Sequence, residues 1–139
     1  MEQFTITITS TISKERLGDL LETAVYGSPW LSISSLRDEQ YLDDRYDEAY
    51  LSGRCRGAKW SDRLMAGGHI VCIDHYSGED NEDGVCNTYK INLRQIIEGL
   101  ENANTIAPGA LYSFLEEAED YEACDTLLQI ILFGEIVYC

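Results

Sequence analysis

The hydrophobic pattern of the chain changes period twice within the first 35 residues, and this change restricts the fold more than any other feature. Residues 4–12, FTITITSTI, alternate apolar and β-favouring polar side chains, which is the pattern of a half-buried strand. Behind Ser13, a suitable N-cap, apolar residues recur at helical spacing, at Leu17, Leu20, Leu21, Ala24 and Val25. Residues 30–35, WLSISS, alternate again. Strands and helices therefore follow one another closely along the chain.

The rest of the chain continues this succession. Residues 67–76 predict a turn and a strand, and TYKI at 88–91 predicts a second strand that pairs with it as a hairpin. Asn92 is placed to cap a helix whose buried side carries Leu93, Ile96, Ile97 and Leu100. Pro108 opens another helix, whose inward side chains are Leu111, Phe114, Leu115 and Ala118. A final helix ends at Gly134, before a terminal strand EIVYC.

These patterns predict one α+β domain over residues 1–139, with a small, mostly antiparallel sheet and helices packed on one face. Residues 37–66 are expected to form an irregular charged segment within it. The longest apolar run is only IILF, and the N-terminus lacks the basic and apolar regions of an export signal. We therefore expect a cytoplasmic protein whose five cysteines are reduced, with Cys72 and Cys124 as small core residues.

The net charge of −15 is the strongest compositional feature, because it repels nucleic acid and anionic membranes. Direct binding to either is therefore not expected. The carboxylates concentrate in three clusters, with six in residues 38–48, four in residues 79–83 and six in residues 116–125. In the last cluster, helical spacing would place Glu116, Glu119 and Asp120 on one face. Such clusters indicate either a solvated surface or a negative surface that a basic partner recognises.

The segment 37–66 reverses its sign of charge along its length. Its first half carries the candidate partner-binding side chains Tyr41, Asp43, Asp44, Tyr46, Asp47, Glu48 and Tyr50. Its second half carries four of the ten basic residues of the chain, Arg54, Arg56, Lys59 and Arg63. The two halves can pair with each other, or the basic half can hold an anionic ligand such as a nucleotide. Both alternatives are compatible with the sequence.

No pattern in the chain predicts catalysis, a metal site or a cofactor. His69 and His75 would lie roughly 20 Å apart along a strand, which is too far for one metal ion. The loop EDNEDGVCNTYK has the spacing of a calcium loop, but Lys90 stands where a bidentate glutamate is required. Cys55 lies between two arginines, which lower a thiol pKa, but no base is positioned beside it.

Four stretches of the sequence resemble a family of small phage and prophage proteins. They are TISKERLGDLLETAVYGSPWL, GGHIVCID, INLRQIIEGL and DTLLQIILFGEIVYC. The resemblance as a whole extends over about two thirds of the chain and omits residues 37–66. Cys139 stands where that family has glycine. The matching residues describe strands, caps and core, and the family has no assigned activity, so the resemblance transfers no site. It implies a phage setting, in which small acidic proteins such as anti-CRISPR proteins bind and block host proteins.

The sequence thus leads to three hypotheses of different classes. The first is a non-enzymatic phage-encoded inhibitor or modulator in the host cytoplasm. It would bind a host nucleic-acid-binding protein, such as a defence nuclease, through an acidic surface that imitates nucleic acid. The second is a nucleotide-binding protein or cryptic enzyme centred on the basic residues 54–63. The third is a structural or assembly protein of the phage.

Overall fold

The computed structural model describes residues 11–34, 53–116 and 120–138, with only the backbone described at residues 53–58 and at Asp80. Within these residues the chain is α+β, as predicted, with a three-stranded antiparallel sheet and helices in contact with it. The elements follow in the order α1 (Lys14–Gly27), β1 (Leu31–Ser34), α2 (Gly53–Met65), β2 (His69–Asp74), α3 (Ser77–Asp80), β3 (Asn87–Asn92), α4 (Leu93–Ile106), α5 (Pro108–Leu115) and α6 (Tyr121–Phe133). Most of the strand predicted at residues 4–12 lies outside the described residues.

The sheet has the strand order β1-β2-β3, and Leu31 faces Asp74 while His69 faces Asn92. The predicted pairing of residues 88–91 with the preceding strand is therefore confirmed. Side chains alternate along the strands, so that one face of the sheet carries the apolar side chains that enter the core, Leu31, Ile33, Ile70, Cys72 and Ile91. The connection between β2 and β3 contains one helical turn, α3, where the sequence predicted only a loop.

The predicted helix starts are confirmed by their capping hydrogen bonds. Ser13 Oγ accepts a hydrogen bond from the N–H of Arg16 at 3.1 Å. At α4, Asn92 Oδ1 accepts from the N–H of Gln95 at 2.9 Å, and Gln95 Oε1 accepts from the N–H of Asn92 at 2.8 Å, which is a complete capping box. Pro108 occupies the first turn of α5. These caps use donors that the helices themselves leave unpaired.

The core lies between the buried face of the sheet and the helices, and α1 contributes to it by packing against both α2 and α6. Its largest buried side chains are those of Trp30, Trp60 and Phe114. Cys72 and Cys124 are buried, as predicted, and burial raises the pKa of Cys72 to about 12 and that of Cys124 to about 11. No helix in the described part of the chain is both long enough and apolar enough to cross a bilayer.

The expectation of irregular structure fails for residues 53–65, which form helix α2. The helix buries Trp60, Ser61 and Leu64, although polar and basic residues surround them in the sequence. Its sequence pattern was obscured because Gly53 and Gly57 disfavour a helix and apolar side chains are few. Residues 37–52, the remainder of that segment, lie outside the described residues.

Two predictions near other helices are also wrong. The terminal strand does not form in residues 135–138, because the backbone N–H groups of Val137 and Tyr138 donate to the side chain of Gln129 instead of to a strand. Ile97, predicted on the buried side of α4, is 46% exposed. The α4 face that enters the core is centred on Ile96, Leu100 and Ala103, and Ile97 lies about 100° around the helix from Ile96.

Candidate functional site

Most of the side chains that the sequence predicts to bind a partner lie outside the described residues. This applies to Tyr41, Asp43, Asp44, Tyr46, Asp47, Glu48, Tyr50 and Glu119. Arg54 and Arg56 lie on α2, but only their backbone is described. The described candidates are therefore Lys59, Arg63, Glu116 and Asp120, together with an acidic cluster between β2 and β3.

Glu116 and Asp120 do not share a helix face, contrary to the prediction from their spacing. Glu116 is the C-cap of α5, and Asp120 is the N-cap of α6. The carboxylate of Asp120 accepts hydrogen bonds from the N–H of Ala123 at 3.0 Å and from Ser113 Oγ at 2.9 Å. These two bonds lower the pKa of Asp120. Asp120 therefore joins the ends of two helices, in addition to any role at the surface.

The described basic side chains of α2 are engaged within the chain. Arg63 Nε donates to the carbonyl oxygen of His69 at 2.6 Å, and Lys59 also has an interaction partner. On the same helix, Asp62 forms an ion pair with Lys14 of α1. The partners of Arg63 and Asp62 lie outside residues 37–50, so pairing between the basic and acidic halves of that segment stays a prediction. The contacts leave fewer cationic groups for an anionic ligand.

The connection between β2 and β3, which we call the acidic connection (residues 77–86), presents the densest group of carboxylates among the described residues. Glu79, Asp80, Glu82 and Asp83 lie within five positions, and residues 77–86 contain no lysine or arginine. Four carboxylates without a base give this connection a formal charge of −4. Glu79, Glu82 and Asp83 are exposed, and none forms an ion pair with a described residue. Their charge is therefore not neutralised by the described surroundings.

Hydrogen bonds hold the backbone of the acidic connection in one conformation. Ser77 Oγ donates to the carbonyl oxygen of Asp74 at 2.6 Å and accepts from the N–H of Asn87 at 2.7 Å, which joins the ends of β2 and β3. Asn81 Nδ2 donates to the carbonyl oxygen of Val85 at 2.6 Å. Gly84 has φ of 69°, a conformation that glycine adopts without strain. Glu79, Glu82 and Asp83 are thus exposed on an ordered turn.

Apolar side chains are exposed on both sides of these carboxylates. Val85 follows them and is 61% exposed, and Tyr76 precedes them and is 41% exposed. Tyr76 contacts the ring of Tyr138 edge to face at a centroid distance of 5.3 Å, and Tyr138 Oη donates to Asp74 Oδ2 at 2.7 Å. The ring of Tyr76 is therefore fixed beside the acidic connection. Charged and apolar contact groups lie together at this end of the sheet.

The described residues also contain one serine–histidine contact. Ser32 Oγ and His75 Nε2 lie 2.8 Å apart, which is the distance between a nucleophile and its base in hydrolytic enzymes. Among the described residues, however, no carboxylate or carbonyl oxygen orients the other ring nitrogen of His75. Nor does the described part of the chain contain a group of three His, Cys, Asp or Glu residues that could hold a metal ion. This contact therefore provides no defined catalytic site.

Comparisons with protein-family models, with curated proteins and with solved structures return no match for this chain. The resemblance to phage proteins therefore stays a prediction. The acidic connection is visible in the sequence as four carboxylates in five residues, a pattern that is compatible with both a solvated surface and a binding surface. Its ordered backbone and its exposed apolar neighbours become apparent only in the structure.

Proposed function

We propose that this protein is a non-enzymatic binding protein that occupies the basic, nucleic-acid-binding surface of another protein. The observation that carries the proposal is the acidic connection, in which an ordered turn exposes Glu79, Glu82 and Asp83 and the sequence contains a fourth acid and no basic residue. A net charge of −15 adds a long-range attraction to basic surfaces, which accelerates encounter with such a partner.

The density of charge in the acidic connection supports imitation of nucleic acid. Residues 79–83 span at most about 14 Å, even if fully extended. Four charges over that length are separated by three intervals of at most roughly 4.7 Å on average, the same order as the spacing of about 3.4 Å between phosphates along a single strand of DNA. A protein groove that binds phosphates would therefore meet a comparable local density of negative charge here.

The exposed apolar side chains distinguish this surface from one that is only solvated. Val85 and Tyr76 supply the apolar contact area that a row of carboxylates lacks, and tyrosine is enriched among the residues that dominate binding energy. The phage resemblance supplies a setting for such binding, that of an anti-defence inhibitor in the host cytoplasm. A defence nuclease would be a suitable target, because it binds nucleic acid in a basic groove and its inhibition would protect the phage.

Affinity capture from bacterial lysate, with the captured proteins identified by mass spectrometry, tests the proposal. We expect nucleic-acid-binding proteins to be captured and to be released by duplex DNA or by raised salt, because both compete for the basic groove. The double variant Glu79→Lys with Glu82→Lys should lose most of this capture. The double variant Glu15→Lys with Glu135→Lys is the matched control, because it makes the same change in net charge at exposed positions elsewhere.

Two outcomes would contradict the proposal. The first is capture that duplex DNA does not reduce, and the second is an equal loss of capture in both double variants. The same assay also measures how much of the capture depends on residues 37–50. The variant for this purpose reverses the charge of four acids to lysine, at Asp43, Asp44, Asp47 and Glu48. If only that variant loses capture, the binding surface is that segment rather than the acidic connection.

A further inference from the structure

A groove of about 590 Å³ opens between the end of α2 and the first turns of α4. This volume lies within the range of clefts that bind small ligands. Its walls combine apolar and acidic side chains, chiefly those of Leu64, Met65, Leu93, Ile97, Glu98 and Glu101. The groove shares no residue with the acidic connection.

The backbone at the end of α2 forms one side of this groove. The N–H of Gly68 donates to the carbonyl oxygen of Arg63 at 2.9 Å, and the N–H of Gly67 donates to that of Leu64 at 3.1 Å. Together with a φ of 88° at Gly67, these bonds form a Schellman motif. Gly67 and Gly68 line the groove without side chains, so the fixed backbone itself forms part of the wall.

Two large apolar side chains from different helices are exposed in the groove. Met65 of α2 is 56% exposed, and Ile97 of α4 is 46% exposed. Single exposed apolar residues are common on protein surfaces, but apolar residues that converge on one concave site indicate a binding surface. Leu64 and Leu93 extend the apolar lining beneath them. The groove is therefore suited to receive apolar side chains.

The rim of the groove on α4 is acidic. Arg94 Nε donates to Glu98 Oε1 at 3.1 Å, so these two charges largely compensate each other. Glu101 lies one turn further along the helix and forms no ion pair with a described residue. With one arginine and two glutamates, the rim has a formal charge of −1, within a chain of net charge −15. A cationic group is therefore favoured beside the apolar floor.

From this combination we propose that the groove binds an amphipathic, basic helical segment of a partner protein. Apolar side chains of the segment would pack between Met65 and Ile97, and a lysine or arginine one turn away would pair with Glu101. This is the helix-in-groove mode of recognition, in which an apolar face gives affinity and flanking charges give orientation. The inference is independent of the proposed function, because it concerns a different surface and does not require a nucleic-acid-binding partner.

A synthetic peptide with a leucine face and a lysine face is the probe, and NMR titration or calorimetry measures its binding. Two peptides serve as controls. One has the same composition in scrambled order, which keeps the charge and removes the apolar face, and the other carries glutamate in place of lysine. We expect saturable binding of the leucine–lysine peptide, tighter than either control by roughly tenfold or more.

Two variants on the same helix make the test specific to the groove. Ile97→Glu should weaken binding of the leucine–lysine peptide by roughly tenfold or more, because it places a carboxylate at the apolar floor. Ile106→Glu is the matched control: Ile106 is 43% exposed on α4 but lies outside the groove, so binding should be unchanged. Glu98→Lys with Glu101→Lys should shift the preference toward the leucine–glutamate peptide.

Equal affinities for the leucine–lysine peptide and its scrambled control would overturn the proposal, since attraction by net charge alone would then explain binding. Equal effects of Ile97→Glu and Ile106→Glu would overturn it as well. Light scattering after size exclusion adds a third outcome. A dimer that Ile97→Glu abolishes, in a protein that binds no peptide, would assign the groove to a second copy of this chain instead.

Discussion

The side chain of Gln129 binds both backbone groups of Tyr138. Its Oε1 accepts a hydrogen bond from the N–H of Tyr138 at 2.7 Å, and its Nε2 donates to the carbonyl oxygen of Tyr138 at 3.0 Å. The same amide also accepts from the N–H of Val137 and donates to Asp125 Oδ2. Gln129 is completely buried, and these four bonds satisfy its polar atoms. One side chain of α6 thus fixes the residues that follow the helix.

Replacement of Gln129 by leucine should destabilise the protein by about 2–4 kcal/mol. The substitution introduces an apolar side chain of similar size but leaves backbone groups of residues 137 and 138 and one oxygen of Asp125 without this partner. Urea denaturation followed by circular dichroism measures the change. Tyr138→Phe, which removes the hydroxyl bond to Asp74, should cost less. A Gln129→Leu protein as stable as the wild type would contradict the proposed role of the amide.

Gly99→Ala should destabilise the protein, although alanine favours helices. A Cβ at Gly99 on α4 would lie 2.7 Å from the Cα of Ile131 on α6, so the two helices would have to move apart. We expect a loss of about 1–3 kcal/mol. At Gly109 on α5 a Cβ would meet nothing within 4 Å, so Gly109→Ala should raise stability by up to about 1 kcal/mol. Thermal denaturation of both variants should give shifts of opposite sign, and shifts of the same sign would refute the close packing at Gly99.

Cys72 and Cys124 should resist alkylation in the native protein. With their pKa values raised to about 12 and about 11, roughly one Cys72 thiol in 10⁴ and one Cys124 thiol in 10³ is ionised at pH 8. Of the three cysteines whose side chains are described, Cys86 is only half-buried and should react first with iodoacetamide. Peptide mass spectrometry after brief labelling measures the order, with urea-unfolded protein as the control in which all three react. Native labelling of Cys72 as fast as that of Cys86 would contradict the burial of this thiol.

The cap formed by Asp120 should make stability depend on pH below about 5. Its folded-state pKa is lowered by hydrogen bonds from Ala123 and Ser113, so its stabilising effect is fully present above the pKa of the unfolded chain, about 3.9. The effect is lost as the pH falls through the folded-state pKa. Asp120→Asn keeps a capping oxygen but does not titrate. Its deficit in unfolding free energy should therefore be larger at pH 6 than at pH 3, and an equal deficit at both would contradict this account.

The sequence predicted those features of the fold that depend on neighbouring residues. The caps at Ser13 and Asn92 and the pairing of residues 88–91 follow from local patterns, and the structure confirms them. Helix α2 was missed because its stability comes from burying Trp60 and Leu64 against distant elements, which outweighs its glycines. The terminal strand was wrong because the partner of its backbone is a glutamine side chain.

The two candidate sites also differ in how far the sequence alone predicts them. The carboxylates of the acidic connection are adjacent in the sequence, so composition alone identifies them. The groove joins Met65 to Ile97, which are far apart in the sequence, and no local pattern relates them. In the sequence, Ile97 has the helical spacing expected of a core residue. Its exposure becomes apparent only when the structure shows which face of α4 enters the core.

The packing of α1 against α6 has a consequence for synthesis of the chain. The apolar face of α1, with Leu20 and Leu21, is completed by α6, which is synthesised long after α1. At common rates of translation the residues between these helices take roughly 5–20 s to be made. Throughout that interval the apolar face of α1 lacks the packing surface that α6 provides. The complete burial of this face is therefore a late event in synthesis, although α2 can cover part of it earlier.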